Sequence, residues 1–564
     1  MTPRGHAAVL ATALGVLAAG FFLLNRDHAY HPTDDGFVLA YAWRVLQGEV
    51  PYRDFLYVRT PLSPYLHVPE LLAPEGWTIA AGRFTFYLEL WAAAALPAAW
   101  AALRLGVRAT PRAVALCGIF FALALHNFPP MPWPTVDAIA LSTGAATAFL
   151  FSRSAGGRRA LALRGIASLL LGLAVLAKQT FALLALAYVV WALVETLRAR
   201  SWSRFAASAA PGAFVALATL ALLAAAGALG SFAQQVVQPA QLRPTAEVPW
   251  SGDLAAGGVE PYLRALSPLA VLFFVAPFLL GWTRDAGAAR LRKIAVAAVA
   301  ASLVAIAVEA QLDVFTGGRH LFLLLGGLAL AGAIRWRDTS RGLSLAAFGC
   351  LLAIAWSASL SFAYQTPLLG LAAGGVLVEH AWPRWDWPPE RLAVALALGL
   401  TLAGVARIQL EHPYRDLPRE AQVADLGESY PRFGRLLTNA ANAERFRELR
   451  ELSTRHALDR GRSFVVMPDY PLISFLAGAR SPLSIDWLQP QEYAGNEDRL
   501  AGELATRRPV VLIEREPSLT VGPADAPPAP SGRPPETAVR FVREIAARWT
   551  LVAEGRHFCV YYAP

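Results

Sequence analysis

Apolar positions along this chain fall in long unbroken blocks, not in the short alternations or narrow helical stripes of a soluble domain. Thirteen blocks predict helices, at roughly 7–24, 83–104, 112–127, 134–152, 160–176, 179–197, 206–229, 264–282, 294–311, 320–335, 342–361, 366–382 and 391–409. Blocks of about 20 apolar residues suit a hydrocarbon layer of about 30 Å. Helices are required there because lipid offers backbone groups no partners. Polar positions punctuate the blocks in a regular way. Alternate connections are basic, carrying Arg104/Arg108/Arg112, Arg153/Arg158/Arg159/Arg164, Arg198/Arg200/Arg204, Arg284/Arg290/Arg292/Lys293, Arg335/Arg337/Arg341 and Arg384/Arg391. Cytoplasmic loops retain Lys and Arg, so the series and the N-terminus are expected inside, and the C-terminus outside. Four segments then face outward: loop 25–82, loop 128–134, loop 230–263 and the tail from Glu411.

The tail follows a different pattern. It joins a helical stretch, Ala440 to Leu458, to strand-like runs at Ser463–Met467, Pro509–Glu514 and His557–Tyr562, with a Pro-, Ala- and Gly-rich segment at 516–535 expected to be a loop. The expected architecture is a polytopic α-helical membrane protein. Its transmembrane module covers 1–410, including the outer loop 25–82, and a small extracytoplasmic α/β domain covers 411–564.

Composition changes this picture little. Only 16% of the 564 residues are charged, against about 25% in soluble domains. A formal charge of +9 raises the question of nucleic acid, but the basic residues lie between apolar blocks, neither clustered on one module nor interleaved with aromatics. Cys117, Cys350 and Cys559 lie far apart and imply neither a disulfide framework nor a metal site. The first block follows Arg4 as in a signal peptide, yet it lacks a small-x-small cleavage site and reads as an uncleaved first helix.

Candidate chemistry concentrates just after that first helix, in Tyr30-His31-Pro32-Thr33-Asp34-Asp35-Gly36. Adjacent carboxylates at a membrane surface are costly unless solvated or paired. A short helix, Phe37 to Leu46, is spaced to lie in the interface. Gly48-Glu49-Val50-Pro51-Tyr52-Arg53-Asp54-Phe55 and Thr60-Pro61-Leu62-Ser63-Pro64-Tyr65 follow it. A connection this long is more often functional than idle.

The order of these elements resembles the GT-C glycosyltransferases, in particular the bacterial branch of aminoarabinose transferases and protein O-mannosyltransferase-like enzymes (glycosyltransferase family 39-like). Lys178-Gln179 in a helix hairpin, Arg319-His320 at a helix start and Val465-Val466-Met467-Pro468-Asp469 in the tail add to the resemblance. Where that branch shows Asp-Glu-Gly, this chain has Asp34-Asp35-Gly36. The resemblance implies transfer of a sugar from a polyprenyl-phosphate donor to a glycan, lipid or protein acceptor at the outer face of a cell membrane. It assigns the general base to Asp34, support to Asp35 and a second acidic position to Asp137, after Pro129-Pro130-Met131-Pro132-Trp133-Pro134. Arg59, Arg83, Lys178 and Arg319 are the candidates for the donor phosphate, since cations suit an anionic leaving group and arginine's fork suits phosphate.

Each assignment has a plainer counterpart. Asp34 and Asp137 also fit as helix caps, Asp35 as a solvated acid, and Lys178 as a helix-end lysine reaching toward water. His28 and His31 near the acids admit a divalent metal, although no ligand spacing defines one. A transporter or flippase would favour inverted repeats, broken midplane helices and charges deep in the blocks. Here the charges gather at one face, with Glu309 the exception and Glu89 and Glu195 nearer helix ends. A structural membrane protein whose tail binds partners leaves the acidic loop unexplained.

Overall fold

The structure, a computed structural model, describes residues 1–125, 129–237, 273–279, 289–312, 317–334, 339–359, 369–382, 388–413, 416–493, 495–515 and 540–564. In chain order the first helices are α1 (Pro3–Asn25), α2 (Phe37–Leu46), α3 (Leu62–Leu66), α4 (Val68–Leu71), α5 (Thr78–Trp100), α6 (Pro111–Leu125), α7 (Pro134–Arg153), α8 (Gly157–Ala177), α9 (Ala182–Ala199) and α10 (Trp202–Ala225). Among the described residues, seven helices are long and apolar enough to cross a membrane: α1, α5 continued to Leu105, α7, α8, α9 with its leading turn from Gln179, α10, and Pro388–Glu411. Helices Ala289–Leu312, Gly317–Ile334 and Thr339–Ser359 occupy three more of the expected blocks.

Their outward faces remain apolar. On α10, Phe214, Leu217 and Leu222 are 65–71% exposed, a surface that water would penalise and lipid covers without cost. The protein is a multi-pass α-helical membrane protein.

One expected block is described only in part, and another is not a single continuous helix. Only 273–279 of block 264–282 is described, and it is helical. Within block 366–382, a turn at 371–373 precedes an eight-residue helix, Gly374–Ala381, about 12 Å long and too short to span. Its glycines explain the packing. A Cβ on Gly375 would overlap the Leu116 carbonyl, and one on Gly374 would meet the Phe120 ring. This short helix is therefore pressed directly against α6, inside the bundle.

Among the described residues the connections sort into two faces. One holds the basic helix ends near 112, 153–164 and 195, where Arg112 is paired with Glu379 and Glu390, and Glu195 with both Arg153 and Arg164. The other gathers the ends of α1, α8 and Pro388–Glu411 with the starts of α5 and α7. There Asn25 donates to Gln409 and to the Tyr87 hydroxyl at 2.9 and 3.0 Å, Gln179 donates to the Val58 carbonyl, and Thr60 to that of Val175.

On this second face sits the tail domain. Strands β1 (Ala424–Asp425) and β2 (Leu437–Thr438) pair with each other. The main sheet has the order β3 (Phe464–Met467), β4 (Val510–Glu514), β6 (Phe558–Tyr562), β5 (Thr550–Glu554). β3 and β4 run parallel, with Val466 opposite Leu512, and β6 is antiparallel to β4 and β5. Both sheet faces are covered. Val466, Leu512 and Val560 pack toward Phe446 and Leu449 of helix Ala440–His456, while Val465, Val511 and Cys559 pack toward Leu500, Leu504 and Ile545. Double coverage explains why these strands read as unbroken apolar runs. The Pro-, Ala- and Gly-rich 516–535 and most of loop 230–263 lie outside the described residues.

Candidate functional site

The expected interfacial helix α2 is instead enclosed: of its ten residues, Phe37 to Ala42 and Arg44 are buried. The reason is the tail domain, which covers the side of α2 turned away from the bundle. Trp43 donates its indole N–H to the Ala479 carbonyl at 3.1 Å, and Phe37 packs between Trp133 and Trp487. Arg44 reaches Asp486, the Leu483 carbonyl and Glu49. A Cβ on Gly36 would stand 2.5 Å from the Leu472 Cβ, so only glycine admits this approach.

The acidic loop preceding α2 is held just as firmly. Ala29 donates its N–H to the Leu437 carbonyl, Leu437 returns one to Asp27, and Asn442 donates to the Tyr30 carbonyl, all at 2.9 Å. Tyr30 stands edge-on to Phe433 and Phe446. Asp416 accepts from the Tyr30 N–H, Thr438 and Asn439, tying the end of the membrane module to the same loop.

Asp34 and Asp35 are both buried within this frame. Asp35 accepts the His31 N–H at 3.0 Å and lies 3.6 Å from the Arg83 guanidinium. Burial pushes the Asp35 carboxyl up from its ordinary value, with Arg83 offsetting only part of the effect. Arg83 also donates to the carbonyls of Asn25, His28 and Ala29. It stitches the end of α1 to the start of α5 as well as facing the carboxylate.

A second buried group lies at the foot of α7. Asp137 Oδ1 is 3.1 Å from His67 Nε2, and His67 Nδ1 is 2.9 Å from Glu70 Oε1. An imidazole set between two carboxylates satisfies both only when both ring nitrogens carry protons. Burial alone would lower the His67 value, but Asp137 and Glu70 together outweigh it and hold it well above the usual range. Glu70 is correspondingly held low: its burial cost is outweighed by the His67 hydrogen bond and charge. Glu89 of α5 lies within electrostatic reach of all three.

No protein-family model matches the chain, and no curated protein matches it either. It is similar to solved structures of ArnT from Cupriavidus metallidurans. In the apo state the TM-score is 0.39 at 14% identity, and bound to undecaprenyl phosphate it is 0.39 at 13%; each covers 98% of this chain and 97% of the other. A likeness of that degree carries no argument about chemistry.

The remaining sequence-predicted residues divide. Arg59 is buried in a two-point ion pair with Glu492 of the tail, both bonds 2.7 Å, and lies over the Phe37 ring. Lys178 is buried at the end of α8, its N–H closing the helix onto the Ala174 carbonyl. Arg319 is in the first turn of Gly317–Ile334, and its side chain lies outside the described residues. Asp35 and Arg83 are in contact, whereas Asp137 is engaged by His67. Among the described residues no group of three or more His, Cys, Asp or Glu is set to hold a metal ion. Sequence reasoning missed His67, Glu70 and Glu492. The His-x-x-Glu spacing of 67 and 70 places both on one side of a helical turn and was readable; Glu492, 433 residues from Arg59, carried no local signal.

Proposed function

We propose that the chain is a membrane glycosyltransferase that moves a sugar from a polyprenyl-phosphate donor to an acceptor at the extracytoplasmic face. The observation that carries the reading is the burial of Asp34 and Asp35 in a connecting loop, beside Arg83 and clamped by the tail domain. Burying adjacent acids costs stability, and such an arrangement is typical of a working site. In the proposed reaction Asp34 takes the proton of the acceptor hydroxyl as its oxygen attacks the anomeric carbon. The bond from that carbon to the phosphate oxygen breaks, and the lipid phosphate leaves as an anion. Displacement from the opposite side inverts the centre. Lys178 and Arg319 are assigned to the phosphate, Arg83 to the carboxylates, and Arg59, whose fork is taken up by Glu492, to bracing the site. The N-terminus is assigned to the cytoplasm and the tail domain to the outside.

Transfer from radiolabelled polyprenyl-phosphate sugars, in membranes containing wild type or Asp34→Asn, tests the reading. Asn keeps size and most hydrogen bonding but cannot act as a base. Loss of about 100-fold or more is expected for a missing general base, with the variant still inserted at wild-type level. Equal transfer by both removes Asp34 from catalysis. Absence of transfer by wild type across a broad donor panel rejects the transferase.

A further inference from the structure

A cavity of about 310 Å³ lies between α7, α8, α9 and helix Thr339–Ser359, within the range of ligand pockets, about 300–1,000 Å³. Phe149, Leu171, Leu184, Trp191 and Ile354 line it, and Cys350 adds a small, largely apolar side chain. The hydroxyls on its wall are already engaged. Ser142 donates to the Ile139 carbonyl at 3.1 Å, and Tyr188 to the Arg164 carbonyl at 3.3 Å. A space so lined offers water or a sugar no partners and takes hydrocarbon. Trp191 and Gly349 on its wall are exposed, so it opens sideways between α9 and Thr339–Ser359. A Cβ on Gly349 would meet nothing within 4 Å.

One end of this apolar space is charged. The Arg153 guanidinium stands over the rings of Phe149 and Trp191, 5.9 and 5.6 Å from their centroids, and its charge reaches Cys350. Arg153 and Arg164 share one carboxylate, Glu195, which leaves the group a net positive charge. Arg153 spends only its Nη1 on that pair; among the described residues its Nε and Nη2 donate to no acceptor. Exposed Arg158, Arg159, Arg198 and Arg200 extend the positive charge over the same helix ends.

We infer that the cavity and Arg153 together form a site for an anionic glycerophospholipid of the leaflet at the basic face, with one acyl chain in the cavity and the phosphate on Arg153. The chain satisfies the apolar wall, whose atoms gain dispersion contacts that a gap forfeits. The phosphate takes the remaining guanidinium N–H groups, a pairing that arginine's fork favours, and basic clusters at helix ends are suited to such headgroups. Along α9 the wall runs from Leu184 to Trp191, about 10 Å, which suits part of a single unbranched chain. The site is distinct from the one proposed for the donor: Arg164 and Lys178 are about 21 Å apart along α8. The inference rests on the membrane fold and stands whether or not the chain transfers sugar.

Photo-crosslinking of the full-length protein in phosphatidylcholine nanodiscs tests it. The probes are phosphatidylglycerol and phosphatidylcholine carrying the same diazirine in mid-chain, with the labelled peptides mapped by mass spectrometry. The phosphatidylglycerol probe is expected to label 184–191 and 345–354 about fivefold more than the phosphatidylcholine probe, the scale of one arginine at a charged lipid surface. Unlabelled phosphatidylglycerol is expected to compete. Gly349→Leu places a side chain in the cavity without a Cβ clash and is expected to abolish labelling there while the protein stays folded. Arg153→Gln leaves Glu195 its bond to Arg164 and is expected to make the two probes label equally. Equal labelling of wild type by both probes means ordinary surrounding lipid and overturns the inference. So does labelling that persists in Gly349→Leu, or a preference that survives Arg153→Gln. Displacement of the probe by polyprenyl phosphate but not by phosphatidylglycerol would make the cavity the seat of the donor's tail and equally overturn it.

Discussion

Burial disfavours the charged form of Asp35, and Arg83 at 3.6 Å compensates only in part. The folded state therefore binds this proton more tightly than the unfolded chain does. Its contribution to stability is greatest below the unfolded carboxyl value and is lost as pH rises through the folded one. Asp35→Asn removes the ionisation and is expected to unfold at a higher temperature than wild type near pH 7, the difference closing toward pH 4. Thermal unfolding in detergent at both pH values checks it, and a lower unfolding temperature for Asp35→Asn at pH 7 would contradict the account. At this scale the sequence was legible where chemistry is local. Asp34, Asp35 and Arg83 stand out because charged residues at a membrane boundary need a reason. Arg59 stands out equally, but what distinguishes a substrate ligand from half of an internal ion pair is its partner, Glu492, and no local pattern announces a partner so remote.

Among the elements, α2 is the one whose surroundings decide its nature. Its spacing suits a helix lying on a membrane, and an outward apolar face could equally well meet lipid or protein. Here it meets the tail domain, through Leu472, Trp487 and the Arg44–Asp486 pair. Gly36→Ala forces a methyl into the Leu472 side chain and is expected to cost about 1–3 kcal/mol, the range for overpacking. Faster limited proteolysis of the tail domain relative to wild type is the expected result; an unchanged cleavage rate would mean that the approach is not as close as it stands. The long helices were legible because lipid demands unbroken apolar runs, and β3, β4 and β6 because a doubly covered strand is apolar throughout. Strand β5 escaped because it is an edge strand with an exposed, mixed pattern, and the two-residue β1 and β2 are too short to carry any pattern. Block 366–382 has the composition of a span, but its glycines serve close packing on α6 instead of length.

For the whole molecule, the basic connections among the described residues lie at the helix ends opposite those that meet the tail domain. Which face meets the cytoplasm is open to direct test. With Cys350, the one cysteine that is not buried, replaced by alanine, a cysteine at exposed Ser203 is expected to react with an impermeant thiol reagent only in inverted vesicles. One at exposed Asp459 is expected to react only in right-side-out vesicles. The opposite pattern would invert the topology and move the acidic loop to the cytoplasm.

The clamp on the acidic loop also has a bearing on how the protein is made. Tyr30 is bound by Asn442, 412 residues further along the chain, and at about 5–20 residues per second of synthesis that interval lasts about 20–80 s. Throughout that time the carboxylates have left the ribosome without their frame. A chain still being translated, or one cut short before its tail, therefore holds the residues of the candidate site but not its frame. Completion of the polypeptide is in effect the event that arms it.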